Sequence, residues 1–377
     1  MAKQSHTSIT AASVALAHAK AFSIEPIGGV FAPGRVNLIG DHTDYNDGFV
    51  FPVALEIGTF IAYSRNTTGR VRARSLNMDA QLERDVMAPA FGDWLDYVIG
   101  ALQALIEHSG QPLPSGLDLT IGSTVPTGAS VSSSAALQVA TLRAACEAFG
   151  IELEPQTLAK LAQRAENTYV GVNCGLMDQM ASSTGQPGSA LFFDTMTLET
   201  ALEPLPTTHS FVTIHSGLSR QLTDGAYNER RSQCEAAAAQ LGVPSLRTAT
   251  LEQVAKLEGK TQARARHVVT ENARVLAARD ALKAGDIEGF GGLMTESHGS
   301  LSCDFGTSTR EVDALVDSCL SRGALGARIT GAGFGGCIVA LIERGREADF
   351  AASLRRAHPT AWLVAVSSGR DTASAAS

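Results

Sequence analysis

Ser123-Thr124-Val125-Pro126-Thr127-Gly128-Ala129-Ser130-Val131-Ser132-Ser133-Ser134-Ala135-Ala136 joins an apolar strand to a helix without one charged side chain. Upstream, Leu117-Asp118-Leu119-Thr120-Ile121 alternates as a strand does. Downstream, an Ala/Leu/Val-rich run reaches Phe149 and stops at Gly150, which predicts a helix capped by hydroxyls and closed by glycine. No Asp, Glu, Lys or Arg lies between Leu119 and Leu142. A helix N-terminus presents unpaired N–H groups and a partial positive charge, so this junction suits a phosphate even without lysine. Its hydroxyls suit phosphate oxygens or Mg²⁺, and its small residues admit a ligand to the backbone. Read by itself the run is more often just a set of N-capping serines. It is not a Walker A loop, because Gly-x4-Gly-Lys-Ser/Thr occurs nowhere in the chain.

Further out, Pro155 to Tyr169 reads as a second helix with proline in its first turn, and 91–108 carries helical spacing. Gly58 to Tyr63 reads as a strand, whereas Gly28 to Pro52 reads as loop-rich, and Ala11 to Ala17 as a weak helix. In the second half a strand at 211–214 precedes helices over 224–241, 262–284, 287–299 and 309–322. Ala327-Arg328-Ile329-Thr330, a glycine-dense turn and Cys337 to Ile342 then form strand, loop, strand, and Ser367 to Ser377 reads as a frayed tail. Pro204 and Pro206 make 195–208 the boundary candidate, dividing the 377 residues into 1–200 and 201–377.

With 30 Lys+Arg against 38 Asp+Glu the net charge is −8, which speaks against a nucleic-acid or anionic-membrane partner held by bulk charge. Six scattered cysteines without a Cys-x-x-Cys suggest neither a disulfide framework nor a zinc site, and reduced thiols in a cytoplasmic protein are expected. No stretch has the length and apolarity of a membrane span or a signal peptide.

Three more segments carry chemistry. Gly34-Arg35-Val36-Asn37-Leu38-Ile39-Gly40-Asp41-His42-Thr43-Asp44-Tyr45-Asn46-Asp47-Gly48 packs hydrogen-bonding side chains at a density that suits a polyhydroxylated ligand, although Asp, Asn and Gly are also what turns use. Glu166 stands near a helix end, and Gly175-Leu176-Met177-Asp178-Gln179 sets an acid among apolar neighbours, where it can serve as a base if an arginine such as Arg35 keeps it ionised. Thr330-Gly331-Ala332-Gly333-Phe334-Gly335-Gly336 contains a literal G-x-G-x-x-G, but a strand rather than a helix follows, which argues against a dinucleotide site.

Together these segments resemble the GHMP superfamily of sugar and small-alcohol kinases and, within it, the galactokinase family; Tyr227-Asn228-Glu229-Arg230-Arg231-Ser232-Gln233-Cys234 is similar as well. The resemblance implies an α/β (α+β) chain of two domains, the N-terminal one ribosomal-protein-S5-domain-2-like and the C-terminal one ferredoxin-like, monomeric or homodimeric, that phosphorylates the C1 hydroxyl of galactose with ATP and Mg²⁺. It makes Asp178 the base and Arg35 its electrostatic partner, with Ser134 and Glu166 as Mg²⁺ ligands. Asp41, His42, Asp44, Gly175 and Tyr227 would line the sugar; Pro126, Gly128, Ala129, Ser130, Val131, Ser132, Ser133, Ser134 and Ala135 would hold the ATP phosphates; Gly331, Gly333, Gly335 and Gly336 would support them. Two departures stand out. Asp41 occupies a position where the family usually carries Glu, facing the C6 end of the sugar, and Ser130-Val131 replaces the usual Gly/Ala-Leu. A sugar 1-kinase with altered C6 or C2 recognition and a catalytically inactive ATP/galactose sensor are the alternatives; the sensor is disfavoured because Arg35, Ser132 to Ala136, Glu166 and Asp178 are all present.

Overall fold

A computed structural model describes residues 8–126, 128–218 and 223–370; Thr127 and the last residues of the expected tail lie outside it. In chain order the helices are α1 (Ala11–Phe22), α2 (Leu95–Ser109), α3 (Ser133–Phe149), α4 (Pro155–Arg164), α5 (Met177–Thr184), α6 (Thr223–Leu241), α7 (Leu251–Val254), α8 (Gly259–Ala284), α9 (Ile287–Ser300), α10 (Arg310–Leu320) and α11 (Glu347–Ala357). The strands are β1 (Gly28–Asn37), β2 (Phe49–Val50), β3 (Pro52–Asn66), β4 (Val71–Ser75), β5 (Ala80–Arg84), β6 (Gly116–Ser123), β7 (Ser189–Asp194), β8 (Thr200–Pro204), β9 (His209–His215), β10 (Gly326–Ile329), β11 (Cys337–Glu343) and β12 (Trp362–Ser368). Among the described residues no helix is long and apolar enough to cross a membrane, and none of the six cysteines is in a disulfide.

The chain divides into two compact units, and the division is not a single cut: residues 1–34, 57–126 and 132–184 form one, while 35–56, 127–131 and 185–377 form the other. In the first unit Thr59 to Asn66 of β3 pairs antiparallel with β6, β6 pairs parallel with β4, and β4 pairs antiparallel with β5. Leu95, Ile99 and Leu102 of α2, Val139 and Leu142 of α3 and Leu117 and Leu119 of β6 are fully buried in one apolar core. At roughly 1.5–3 kcal/mol for each such side chain, this burial is the dominant local driving force.

The second unit holds an antiparallel sheet in the order β10-β11-β9-β12. Numbered along the chain these four strands lie 2-3-1-4, with α6 to α10 between the first two and α11 between the last two, which is the split β-α-β arrangement of ferredoxin-like folds. The expected fold class is therefore the observed one: a mixed α/β chain with two sheets.

Local expectations fail where burial hides the period. Gly28 to Asn37, read as loop, is strand β1, because residues from Ala32 onward are buried on both faces and leave no alternation. The interval 195–208 contains strand β8, which pairs with β7 from Ser189↔Pro204 to Phe193↔Thr200. Ser367 is not frayed, since β12 pairs it with Phe211 of β9.

Candidate active site

In the first unit the start of α3 faces two acids. Ser132 occupies the N-cap in a left-handed conformation (φ 63°), and its side chain caps nothing; its hydroxyl instead donates to Asp178 Oδ2 at 2.7 Å. That corrects the expectation of a hydroxyl-capped helix, and the length is typical of a charge-assisted O–H···O⁻ bond. Asp178 enters from the first turn of α5, where the helix N-terminus favours a negative charge.

At the second residue of α3, Ser134 hydrogen-bonds Glu166. Glu166 comes from a π-helical turn, Ala165–Val170, that replaces the expected last turn of the Pro155–Tyr169 helix. Such turns widen the backbone ring and re-aim side chains, and they recur at functional sites. The carboxyl of Glu166 is buried, and this burial, with the negative charge of Asp178 nearby, pushes it up to about 7. Gln179 Nε2 donates to Glu166 Oε2 at 2.8 Å. Gly175 lies buried in the loop that leads to α5. The Ser134 hydroxyl and the Glu166 carboxyl are hard oxygen donors, which fits Mg²⁺. The described residues offer no cluster of three or more His, Cys, Asp or Glu ligands, so the rest of the coordination shell would come from phosphate and water, as is usual for this ion.

In the second unit Arg35 lies buried (4% exposed), with Nη1 donating to the Ser130 carbonyl at 2.8 Å and its own N–H to the Val131 carbonyl at 3.2 Å. Ser130 adopts φ 62°, a left-handed backbone that costs an L side chain roughly 1–2 kcal/mol relative to glycine. Ala129 and Val131 are buried, and the Ala129 carbonyl accepts from Cys337 Sγ at 2.9 Å. Pro126 and Gly128 flank the undescribed Thr127, Ser133 is exposed, and Ala135 is buried in α3.

The same unit assembles the segment rich in hydrogen-bonding groups. Asp41 is 1% exposed: Oδ2 lies 2.6 Å from Arg328 Nη2, and Oδ1 accepts from the Gly331 N–H at 3.0 Å. His42, at φ 66°, hydrogen-bonds the Tyr45 hydroxyl through Nδ1 at 2.9 Å and packs its ring on Tyr227 (5.7 Å) and Phe305 (4.6 Å). Burial, with the cationic neighbours Arg230 and Arg328, holds its imidazole well below the usual range, so it is neutral at pH 7. Asp44 opens a 3₁₀ turn and accepts from the Tyr45 N–H through Oδ1. Gly40 and Gly48 let the two ends of this loop close on α8: a Cβ at Gly40 (φ 97°) would stand 2.8 Å from Val275 Cγ2, and one at Gly48 2.4 Å from Asn272 Oδ1.

The G-x-G-x-x-G is no dinucleotide turn. Its residues bond inside the unit, Gly331 to Asp41, Phe334 N–H to the Thr307 carbonyl, and Gly336 carbonyl to the Ser216 N–H. Sequence reasoning missed the layer beneath the loop, namely His267, Glu271 and Asn272 on α8 and Arg328 on β10. The one available signal was a lone charge, Arg328, inside an otherwise uncharged strand before a glycine turn.

Residues 16–65 match the family described as "Galactokinase galactose-binding signature", residues 96–186 "GHMP kinases N terminal domain" and residues 278–359 "GHMP kinases C terminal". The chain is 43% identical over 349 residues to a galactokinase of Roseiflexus sp., covering 89% of each. It is 39% identical over 317 residues to a galactokinase of Thermococcus kodakarensis, covering 84% of this chain and 90% of that one. Among solved structures, Lactococcus lactis galactokinase complexed with galactose superposes with a TM-score of 0.88 at 30% identity, over 95% of this chain and 98% of that one. Methanococcus jannaschii mevalonate kinase, at 19% identity and a TM-score of 0.70 over 91% of this chain and 98% of that one, shares the fold.

Proposed function

The chain belongs to the galactokinase family of GHMP kinases, and from that premise we propose that it transfers the γ-phosphoryl group of ATP to the C1 hydroxyl of galactose through the residues described above. Asp178 accepts the proton of that hydroxyl as the C1 oxygen attacks. The observation that carries the assignment is the Ser132 hydroxyl on Asp178 Oδ2 at 2.7 Å, which holds the acid at the start of the helix expected to receive phosphate. Phosphoryl transfer asks a protein mainly for positioning and charge stabilisation. Here the N–H groups opening α3 cradle phosphate oxygens, and Arg35 offsets charge developing on the transferred group. Ser134 and Glu166 would hold Mg²⁺. When bound, this ion neutralises phosphate charge. Asp44, His42, Gly175 and Tyr227 line the sugar, and the neutral His42 ring can both donate and accept.

The enzyme works in the cytoplasm. The experiment is ADP release with a panel of hexoses, repeated with Asp178→Asn. Loss of orders of magnitude in kcat, with galactose binding retained within roughly tenfold, is the expected result. Near-normal turnover in the variant would remove Asp178 from the proton transfer, and silence of the wild type with galactose would remove the reaction itself.

A further inference from the structure

Beneath the galactose-binding segment lies a fully buried set of charges that the reaction does not use. Arg328 and Glu271 are both 0% exposed. Arg328 reaches Asp41 Oδ2 at 2.6 Å and Glu271 Oε1 at 3.9 Å, and its Nη1 donates to the Asn37 carbonyl at 3.2 Å. Glu271 in turn accepts from the Gly40 N–H at 2.9 Å, from the Ser297 hydroxyl and from Arg274 Nε. From the same face of α8, His267 Nε2 meets the Asp41 carbonyl at 3.1 Å and Asn272 Oδ1 accepts from the Phe49 N–H at 2.9 Å. Both ends of the loop 40–48 are thus tied to one helix, and Asp41 is tied at three points: to Arg328, to Gly331 and to His267.

Burying an ion pair costs several kcal/mol in desolvation, and apolar residues of similar volume usually give equal or better stability. Stability alone therefore does not account for these charges. What they supply is geometry: a guanidinium between two carboxylates admits one arrangement of the loop, where an apolar contact would admit several. The Gly331 bond extends that arrangement to the glycine turn.

We propose that Arg328 is a positioning residue for the sugar, which through Asp41 and Glu271 holds the galactose-binding loop in its binding geometry, so that galactose affinity depends on it far more than turnover does. The inference rests on the galactose-kinase reading above. Arg328 is enclosed and acts through Asp41. The Asp41 side chain suits this role, because its two oxygens are divided between Arg328 and Gly331.

The test uses the full chain with Arg328→Lys, Arg328→Met, Asp41→Asn and the Arg328→Met/Asp41→Asn double variant. Thermal melts establish that each is folded, and kinetics with galactose and ATP varied separately give both KM values. Arg328→Lys should raise the KM for galactose about tenfold or more, with kcat within about threefold and the KM for ATP within about twofold. The double variant should bind galactose no worse than the weaker single one, because both changes break one link. Should Arg328→Met fail to fold, the charge-conserving lysine variant decides. A folded Arg328→Lys with an unchanged KM for galactose, or an equal rise in both KM values, would overturn the proposal while leaving galactose phosphorylation intact. A wild-type chain that releases no ADP with galactose would overturn both.

Discussion

Lowering the pH from 7 to 5 is expected to cost the unit containing His267 about 2 kcal/mol through that one residue. In the fold the imidazole is fully buried, with Nε2 at the Asp41 carbonyl and Nδ1 2.8 Å from the Ser300 hydroxyl. A carbonyl only accepts, so Nε2 carries the proton and Nδ1 receives the serine's. Burial, helped by Arg274 and Arg328 and opposed by Glu271, brings the ring down to about 4, against about 6.5 in an unfolded chain. The fold thus favours the neutral ring. Its contribution is complete above 6.5 and is lost as the pH falls toward 4, because the unfolded chain takes a proton that the folded one refuses. At pH 5 the unfolded ring is almost wholly protonated and the folded one about one-tenth so, which is the origin of the ~2 kcal/mol. Glu271 occupies a different window. Burial opposes its ionisation, but His267, Arg274, Arg328 and the Ser297 hydroxyl bring it to about 2, so its contribution persists above about 4.5 and fades only below. The assay is urea unfolding by circular dichroism at pH 7, 6 and 5, ligand-free, for wild type and His267→Gln. His42 and His298 are lowered by burial too and steepen both curves, so the difference between the proteins is the measurement. Parallel pH profiles would refute the reasoning.

Ser132→Ala removes the hydroxyl that holds Asp178 Oδ2. A bond to a charged group is worth about 1.5–3 kcal/mol, so kcat should fall roughly tenfold to a hundredfold with the KM for galactose little changed; an unaltered kcat would show that the hydroxyl does not position the base. Ser130→Gly relieves a left-handed serine whose Oγ has no hydrogen-bond partner among the described residues. It should raise stability by about 0.5–1 kcal/mol, read as a higher midpoint in thermal melting, and a lowered midpoint would contradict the strain argument. Asp41→Glu restores the longer acid usual in the family. It should sharpen discrimination in kcat/KM between galactose and 6-deoxygalactose, and equal ratios in the two proteins would separate Asp41 from recognition at C6.

Much of the candidate site was legible because its chemistry is written in short stretches. Arg35 to Gly48, Ser132 to Ala136 and the Gly175 to Gln179 segment each carry their functional groups within a few residues, and local spacing specified a helix from Ser133 to Phe149, ended by Gly150 at φ 68°. The ferredoxin-like order of β9 to β12 followed from likeness to a family rather than from period, since buried strands such as β1 show no alternation to read. What the residues could not declare was the partner of each polar group. A serine hydroxyl before a helix can cap it or serve an acid, and only the packing of α5 gave Ser132 an acid 46 residues away. An aspartate in a turn-rich loop can face solvent, a sugar or a cation, and only the tertiary structure set Asp41 against Arg328 and against a backbone N–H 290 residues on. The sequence by itself therefore determined the functional groups and the helix that presents them, because those depend on neighbours in the chain. The pairing of buried charges was decided by the tertiary structure, because a desolvated group takes whichever partner the folded chain brings within reach.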